Sequence, residues 1–184
     1  MKVLFLDVDG VLNSDAYFQV HPRSSRPSDM AQQLDPMACA LLNDVLAATS
    51  AKIVLSSDWR FRIDSVEHME RLLRSRGALC AEIVGQTPDL VRRCRDEGLG
   101  FRLRWLSEQV SAGRELSDIK AWPWAGRGDE IVAWLKDAGR VEKYAVVDDE
   151  DAGMREAGAR LVHTDPSVGL TQDNADALVL LLNG

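Results

Sequence analysis

The stretch KVLFLDVDG, residues 2–10, decides how the rest of the chain is read. Its apolar run from Val3 to Leu6 is what a strand buried on both faces requires, and it breaks at once into Asp7, Asp9 and Gly10. Working outward, two more apolar runs end in polar tips: AKIVLSS (51–57) in Ser56 and Ser57, and KYAVVDD (143–149) in Asp148 and Asp149. Helical patterns lie between them. Asp35-Pro36 supplies an N-cap and a first-turn proline, and Leu41, Leu42, Val45 and Leu46 continue at helical spacing to about Thr49. A second helix is expected at about 64–76, ending at Gly77, with a short strand near 81–84 after it. Residues 127–138 gather Ile131, Val132, Trp134 and Leu135 on or near one face and close at Gly139. A short helix over AGMREAG (152–158), a strand in ARLVHT (159–164) and a helix at 171–182 complete the pattern. Residues 13–33, polar and carrying two prolines, read as a loop.

Strands alternating with helices predict an α/β fold, a parallel sheet covered on both faces. Such sheets bind ligands beyond the carboxyl ends of their strands. The three polar tips therefore converge on one edge. Several carboxylates in one crevice repel one another and call for a cation. Oxygen-only ligands suit a hard ion, and Mg2+ needs only one or two carboxylates. A serine hydroxyl at the third tip suits a phosphate oxygen. Gly10 allows close backbone approach, with N–H groups available to an anion. A carboxylate can itself attack phosphorus.

Composition sets bounds. With 184 residues and 46% apolar content, the chain can bury one core. Its net charge of −7 disfavours a general nucleic-acid coat protein, although the segment 90–128 is locally basic. Acids interrupt the apolar N-terminus before a signal or membrane span forms. Cys39, Cys80 and Cys94 are few and widely spaced, which fits inert thiols in a reducing cytoplasm.

The string FLDVDGVLN resembles the first motif of the haloacid dehalogenase (HAD) superfamily, IVLSSDWR its second and YAVVDDED its acidic fourth, in the right order. With LDP (34–36), GQTP (85–88), RGDEIVAWL (127–135), DDEDAGM (148–154) and LVHTDPSVGLT (161–171), the chain resembles the HAD domain of Swiss Army Knife RNA repair proteins. The resemblance implies a Rossmannoid three-layer α/β/α sandwich spanning 1–184 as one domain. It has a flap loop at about 13–33 and a small helical insertion at about 88–126 rather than a large cap. It also implies a Mg2+-dependent phosphatase working through an aspartyl phosphate. Asp7 would be nucleophile and metal ligand. Asp9 would be acid/base, with its backbone carbonyl on the metal, and Ser56 would hold the phosphoryl group. Asp148 would ligate the metal, with Asp149 beside it or behind it. The basic third-motif residue falls on Arg127, where lysine is commoner, with Lys143 and Lys120 as alternatives.

Arg60 has two readings, a substrate phosphate contact or a structural ion pair. Asn13 likewise serves either the nucleophile loop or a turn. Trp59 reads as core, and His163 as a loop contact. The insertion interleaves Arg92, Arg93, Arg95, Arg102 and Arg104 with Phe101, Trp105, Trp122 and Trp124. That mixture suits a packed helical cap, or stacking and phosphate contacts to a nucleotide or single strand. The expected partner is a phosphorylated small molecule, a nucleotide or a nucleic-acid end, with no membrane. Two rivals remain. A regulatory phosphoacceptor resembling a response-regulator receiver would place its acceptor on a middle strand, and here the DxD is on the first. A phosphate-binding module without turnover would show decayed motifs, and both aspartates are present.

Overall fold

In β1 (Lys2–Leu6) every residue after Lys2 is buried, and successive side chains enter two different cores. Leu4 and Leu6 point into one apolar cluster and Val3 and Phe5 into the other, the two-residue alternation of a strand covered on both sides. The structure is a computed structural model. It describes residues 1–23, 27–90, 126–151 and 160–184, together with Arg92, Arg104, Ser107, Glu108, Val110, Ser111 and Met154.

The other strands are β2 (Lys52–Leu55), β3 (Ile83–Gln86), β4 (Lys143–Asp148) and β5 (Leu161–His163). They form one parallel sheet in the order β3-β2-β1-β4-β5. The helices are α1 (Asp15–Val20), α2 (Pro36–Thr49), α3 (Val66–Ser75), α4 (Arg127–Asp137) and α5 (Gln172–Asn183). The first face is covered by α2, α3 and α5 through Leu42, Leu46, Met69, Leu73, Leu178 and Leu182. The second is covered by α4, whose Ile131 and Trp134 pack on Val3, Phe5, Val54 and Val146. Phe5 meets Trp134 edge-on at 5.4 Å and Tyr144 at 6.0 Å, the favoured geometry for aromatic pairs. This is the three-layer α/β/α sandwich that the sequence resemblance implies.

The chain runs outward from β1 through β2 to β3, then returns to place β4 on the other flank of β1. The seam between β1 and β4 is thus the topological switch point, where such sheets bind ligands. Register brings Leu6 beside Val147, and Asp7 N–H donates to the Val147 carbonyl at 3.0 Å. The tips bearing Asp7 and Asp148 are therefore adjacent.

Asp35 caps α2 by accepting from Met37 N–H at 2.8 Å, with Pro36 in the first turn as its sequence predicts. The expected loop at 13–33 is more regular than its composition suggests. Ser14 caps α1, Tyr17 is buried, and Pro27–Gln33 forms a 3-10 helix. A serine cap and one buried aromatic outweigh an otherwise polar pattern. The third strand begins at Ile83, two residues later than expected. Most of the 88–126 insertion, Lys120 and its tryptophans included, lies outside the described residues, as does the 152–158 helix apart from Met154. Among the described residues no helix is long and apolar enough to cross a membrane.

Because the Phe5 ring packs edge-on against both Trp134 and Tyr144, Phe5→Ala should cost about 3–5 kcal/mol in urea unfolding, and Phe5→Leu much less. A loss below about 1 kcal/mol for Phe5→Ala would mean that α4 does not depend on this packing.

Candidate active site

Asp7 and Asp148 leave the sheet at the switch point with their carboxyl groups buried, and Asp149 is half-buried beside them. One oxygen from each of the three lies within 4.8 Å of the others. Burial pushes the Asp7 carboxyl up to about 7, against the pull of Arg127 and with a further push from Asp148. Burial likewise raises Asp148 to about 6, again opposed by Arg127. Asp148 Oδ1 accepts from Glu150 N–H at 3.0 Å, whereas Oδ2 is buried and accepts no hydrogen bond. An all-oxygen cluster with a buried, unsatisfied carboxylate oxygen fits a hard divalent cation such as Mg2+. Asp7, Asp148 and Asp149 are the side chains that would hold it.

Arg127, the first residue of α4, supplies the positive charge now present. Its Nη1 lies 3.1 Å from Asp7 Oδ1 and its Nε 3.5 Å from Asp148 Oδ2. Nη1 also donates to the Ser56 carbonyl, and Nη2 is 4.0 Å from Asp58. The same acids hold the guanidinium pKa up against its burial. Of the basic candidates for the third motif, Arg127 is the one brought to the acids. Lys143 begins β4, at the opposite edge of the sheet, and donates to the Asn183 carbonyl. Lys120 is outside the described residues.

Ser56 is fully buried at the tip of β2, and its hydroxyl has no hydrogen-bond partner among the described residues. Its neighbour Ser57 accepts from Trp59 N–H at 3.3 Å through its hydroxyl. Trp59 itself is core, fully buried.

Asp9 stands apart from the acidic cluster. It is half-buried, and its Oδ1 accepts from Asn13 Nδ2 at 2.9 Å. Asn13, also buried, accepts Gly10 N–H at 3.0 Å, so it serves the nucleophile loop and the turn at once. The Gly10 N–H, read from the sequence as available to an anion, is the donor in that bond. Glycine is also favoured here by its backbone. Its φ is +71°, and a Cβ at this position would lie 2.3 Å from the Asp149 carboxyl carbon.

Of the two readings of Arg60, the structure displays the ion pair. Its guanidinium pairs with Glu130 at 2.8 Å and donates to Thr87 Oγ1 at 2.8 Å, both partners being buried. The structural ion pair is therefore the arrangement found, and no substrate contact is assigned to this residue. Glu130 lies one helical turn beyond Arg127, where the apolar periodicity of α4 gave the only hint of a polar buried position. Thr164 was not singled out by sequence. It is buried after β5, donating Oγ1 to the Gly10 carbonyl and N–H to the Asp148 carbonyl, both at 3.0 Å. His163 makes a loop contact, its Nε2 2.8 Å from the Asp149 carbonyl.

Two tests follow from this geometry. In the absence of divalent cations, the unfolded chain releases the Asp7 proton near 3.8 and the native chain near 7. The native state thus holds extra protons across that interval, and the stability they carry falls as pH rises through it. Thermal unfolding should show Asp7→Asn gaining on the wild type between pH 4 and 8, with Mg2+ reducing the gap. A difference independent of pH would contradict the buried, raised carboxyl. Gly10→Ala combines a positive φ with the Asp149 clash. It should cost more than about 1 kcal/mol and weaken Mg2+ binding measured by calorimetry.

Comparison with curated proteins and with solved structures gave no match. Residues 3–175, nearly the whole chain, match the family described as the HAD domain in Swiss Army Knife RNA repair proteins. That span holds all three acidic and hydroxyl strand tips and Arg127, and the chain belongs to this family of HAD domains.

Proposed function

We propose that the protein is a Mg2+-dependent phosphatase that hydrolyses phosphomonoesters through an aspartyl phosphate on Asp7, acting on the terminal phosphate of a nucleotide or nucleic acid. The observation that carries this reading is the meeting of Asp7, Asp148 and Asp149 opposite Arg127 and the unpartnered Ser56 hydroxyl. Family membership supports phosphatase chemistry, and the RNA-repair description supports the substrate class.

Bound Mg2+ would keep the raised carboxyls ionised and neutralise charge on the transferring group. Arg127 holds one oxygen of Asp7 and faces the equatorial phosphoryl oxygens, and the Ser56 hydroxyl donates to another. An Asp7 oxygen attacks phosphorus, and the phosphorus–oxygen ester bond breaks. Asp9, held by Asn13, gives its proton to the departing oxygen. The Asp9 carboxylate then takes a proton from water as that water attacks phosphorus, releasing inorganic phosphate and restoring Asp7.

Release of inorganic phosphate from an aryl phosphate should require Mg2+ and vanish in Asp7→Asn. Asp9→Asn should lower kcat by roughly 10²–10⁴-fold. Arg127→Ala should weaken substrate binding as well as turnover. Substantial turnover by folded Asp7→Asn would refute the nucleophile assignment. A phosphorylated Asp7 that persists for minutes would point to the regulatory phosphoacceptor instead.

A further inference from the structure

Beside the acidic site, across the Arg60–Glu130 pair, lies a cavity of about 380 Å³ between the end of β3 and α4. Among the described residues its wall includes Arg60, Phe61, Gln86, Asp89, Trp134 and Asp137. Neither its size nor its charge suits a second phosphate. The volume falls in the range of small-molecule pockets, far above what one anion needs. Arg60 is already neutralised by Glu130, and the remaining described charges on the wall are carboxylates. A carboxylate-bearing wall repels phosphate and accepts hydrogen bonds from ring N–H and amino groups.

The apolar surface is aromatic. Phe61 is 55% exposed although the Arg60 guanidinium lies 4.6 Å from its ring centroid, so ring surface remains available for stacking. Trp134 adds a second ring, and Gln86 an exposed amide with both donor and acceptor capacity. Flat, neutral, donor-bearing and stackable describes a nucleobase.

Placement agrees. Thr87, whose N–H donates to the Leu55 carbonyl at 2.9 Å, directly follows β3, two strands away from β1 and Asp7. That is a lateral distance of roughly 10 Å, about the length of a mononucleotide from phosphate to base edge. We propose that this cavity is a nucleobase subsite, receiving the base of the terminal nucleotide whose phosphate lies at Asp7. The orientation of the ligand rests on the phosphatase reading; the existence of the subsite does not.

Calorimetric titration with adenosine, guanosine, cytidine and uridine, none of which carries a phosphate, tests the subsite without turnover. At least one should bind saturably to the wild type, equally well to Asp7→Asn and about tenfold more weakly to Phe61→Ala, with Phe61→Trp retaining affinity. Phe61 is exposed, so its truncation leaves the cores intact. No saturable binding of any nucleoside, or binding indifferent to Phe61→Ala, overturns the proposal. In turnover, Phe61→Ala should lower the ratio of kcat/KM for the nucleoside 5′-monophosphate to that for ribose 5-phosphate. An unchanged ratio also overturns it. Absence of phosphate release from every ester, with nucleoside binding intact, would reject the phosphatase reading and leave the subsite standing.

Discussion

Crowded negative charge at the β1–β4 seam is the constraint on which the rest depends. Parallel register puts Asp7 next to Asp148, and the Gly10 turn lets Asp149 close over them. Burial makes each ionised carboxylate costly, which is why Asp7 and Asp148 hold their protons well above the usual range. Among the described residues, one guanidinium faces three acids. That imbalance is unfavourable for a structural cluster and suitable for one that takes a divalent cation.

The position of Arg127 is therefore decisive, and it is fixed from several directions. It opens α4, whose start is held by Asp129 Oδ2 accepting Gly126 N–H at 3.0 Å. One turn on, Glu130 reaches across to Arg60 in the loop that follows β2, and also accepts Leu90 N–H at 3.3 Å. Burial raises the Glu130 pKa and Arg60 opposes that shift. A buried pair of this kind adds little net stability compared with apolar packing, but breaking it leaves one charge stranded. Its value here is geometric: it locks α4 to the loop that carries Ser56 and Asp58. The two arginines thus have the same chemistry and different roles, set by whether the facing carboxylate is a fixed structural partner or a member of the acidic cluster.

Much of this was legible because it obeys local rules. A four-residue apolar run must be a buried strand, and an acidic pair ending it must be at a sheet edge. Asp35-Pro36 must start a helix. The switch point followed from the order of elements, so Asp7, Ser56 and Asp148 converge as expected. What sequence did not disclose depends on contacts between distant residues. Thr164 reaches Gly10 across 154 positions of chain and also holds the Asp148 carbonyl, and its segment, though recognisable as a motif, does not disclose either contact. Arg60 had an equal claim to ligand or ion pair until Glu130, seventy residues away, was placed beside it. The steric demand at Gly10 comes from Asp149, 139 residues away, and could not be read from the turn itself.

The separation of Asp9 from the cluster completes the chemical logic. In the proposed mechanism Asp9 exchanges a proton with the leaving group and then with water, which suits a side chain held by neither a metal nor an arginine. Asp9 lies two residues beyond Asp7, on a loop that turns at Gly10, and is half-exposed where Asp7 is buried. Its described side-chain partner is the neutral Asn13 amide, which orients one oxygen without supplying a charge. Asn13 at the same time takes the Gly10 N–H, and Thr164 takes the Gly10 carbonyl, so the loop is held at both faces of one peptide unit's neighbour. Two aspartates of one motif thereby acquire different environments, the arrangement by which paired carboxyls divide nucleophilic and proton-transfer roles. The division arises from where the strand ends and the turn begins: Asp7 leaves the sheet pointing into the seam, and Asp9 is carried out of it.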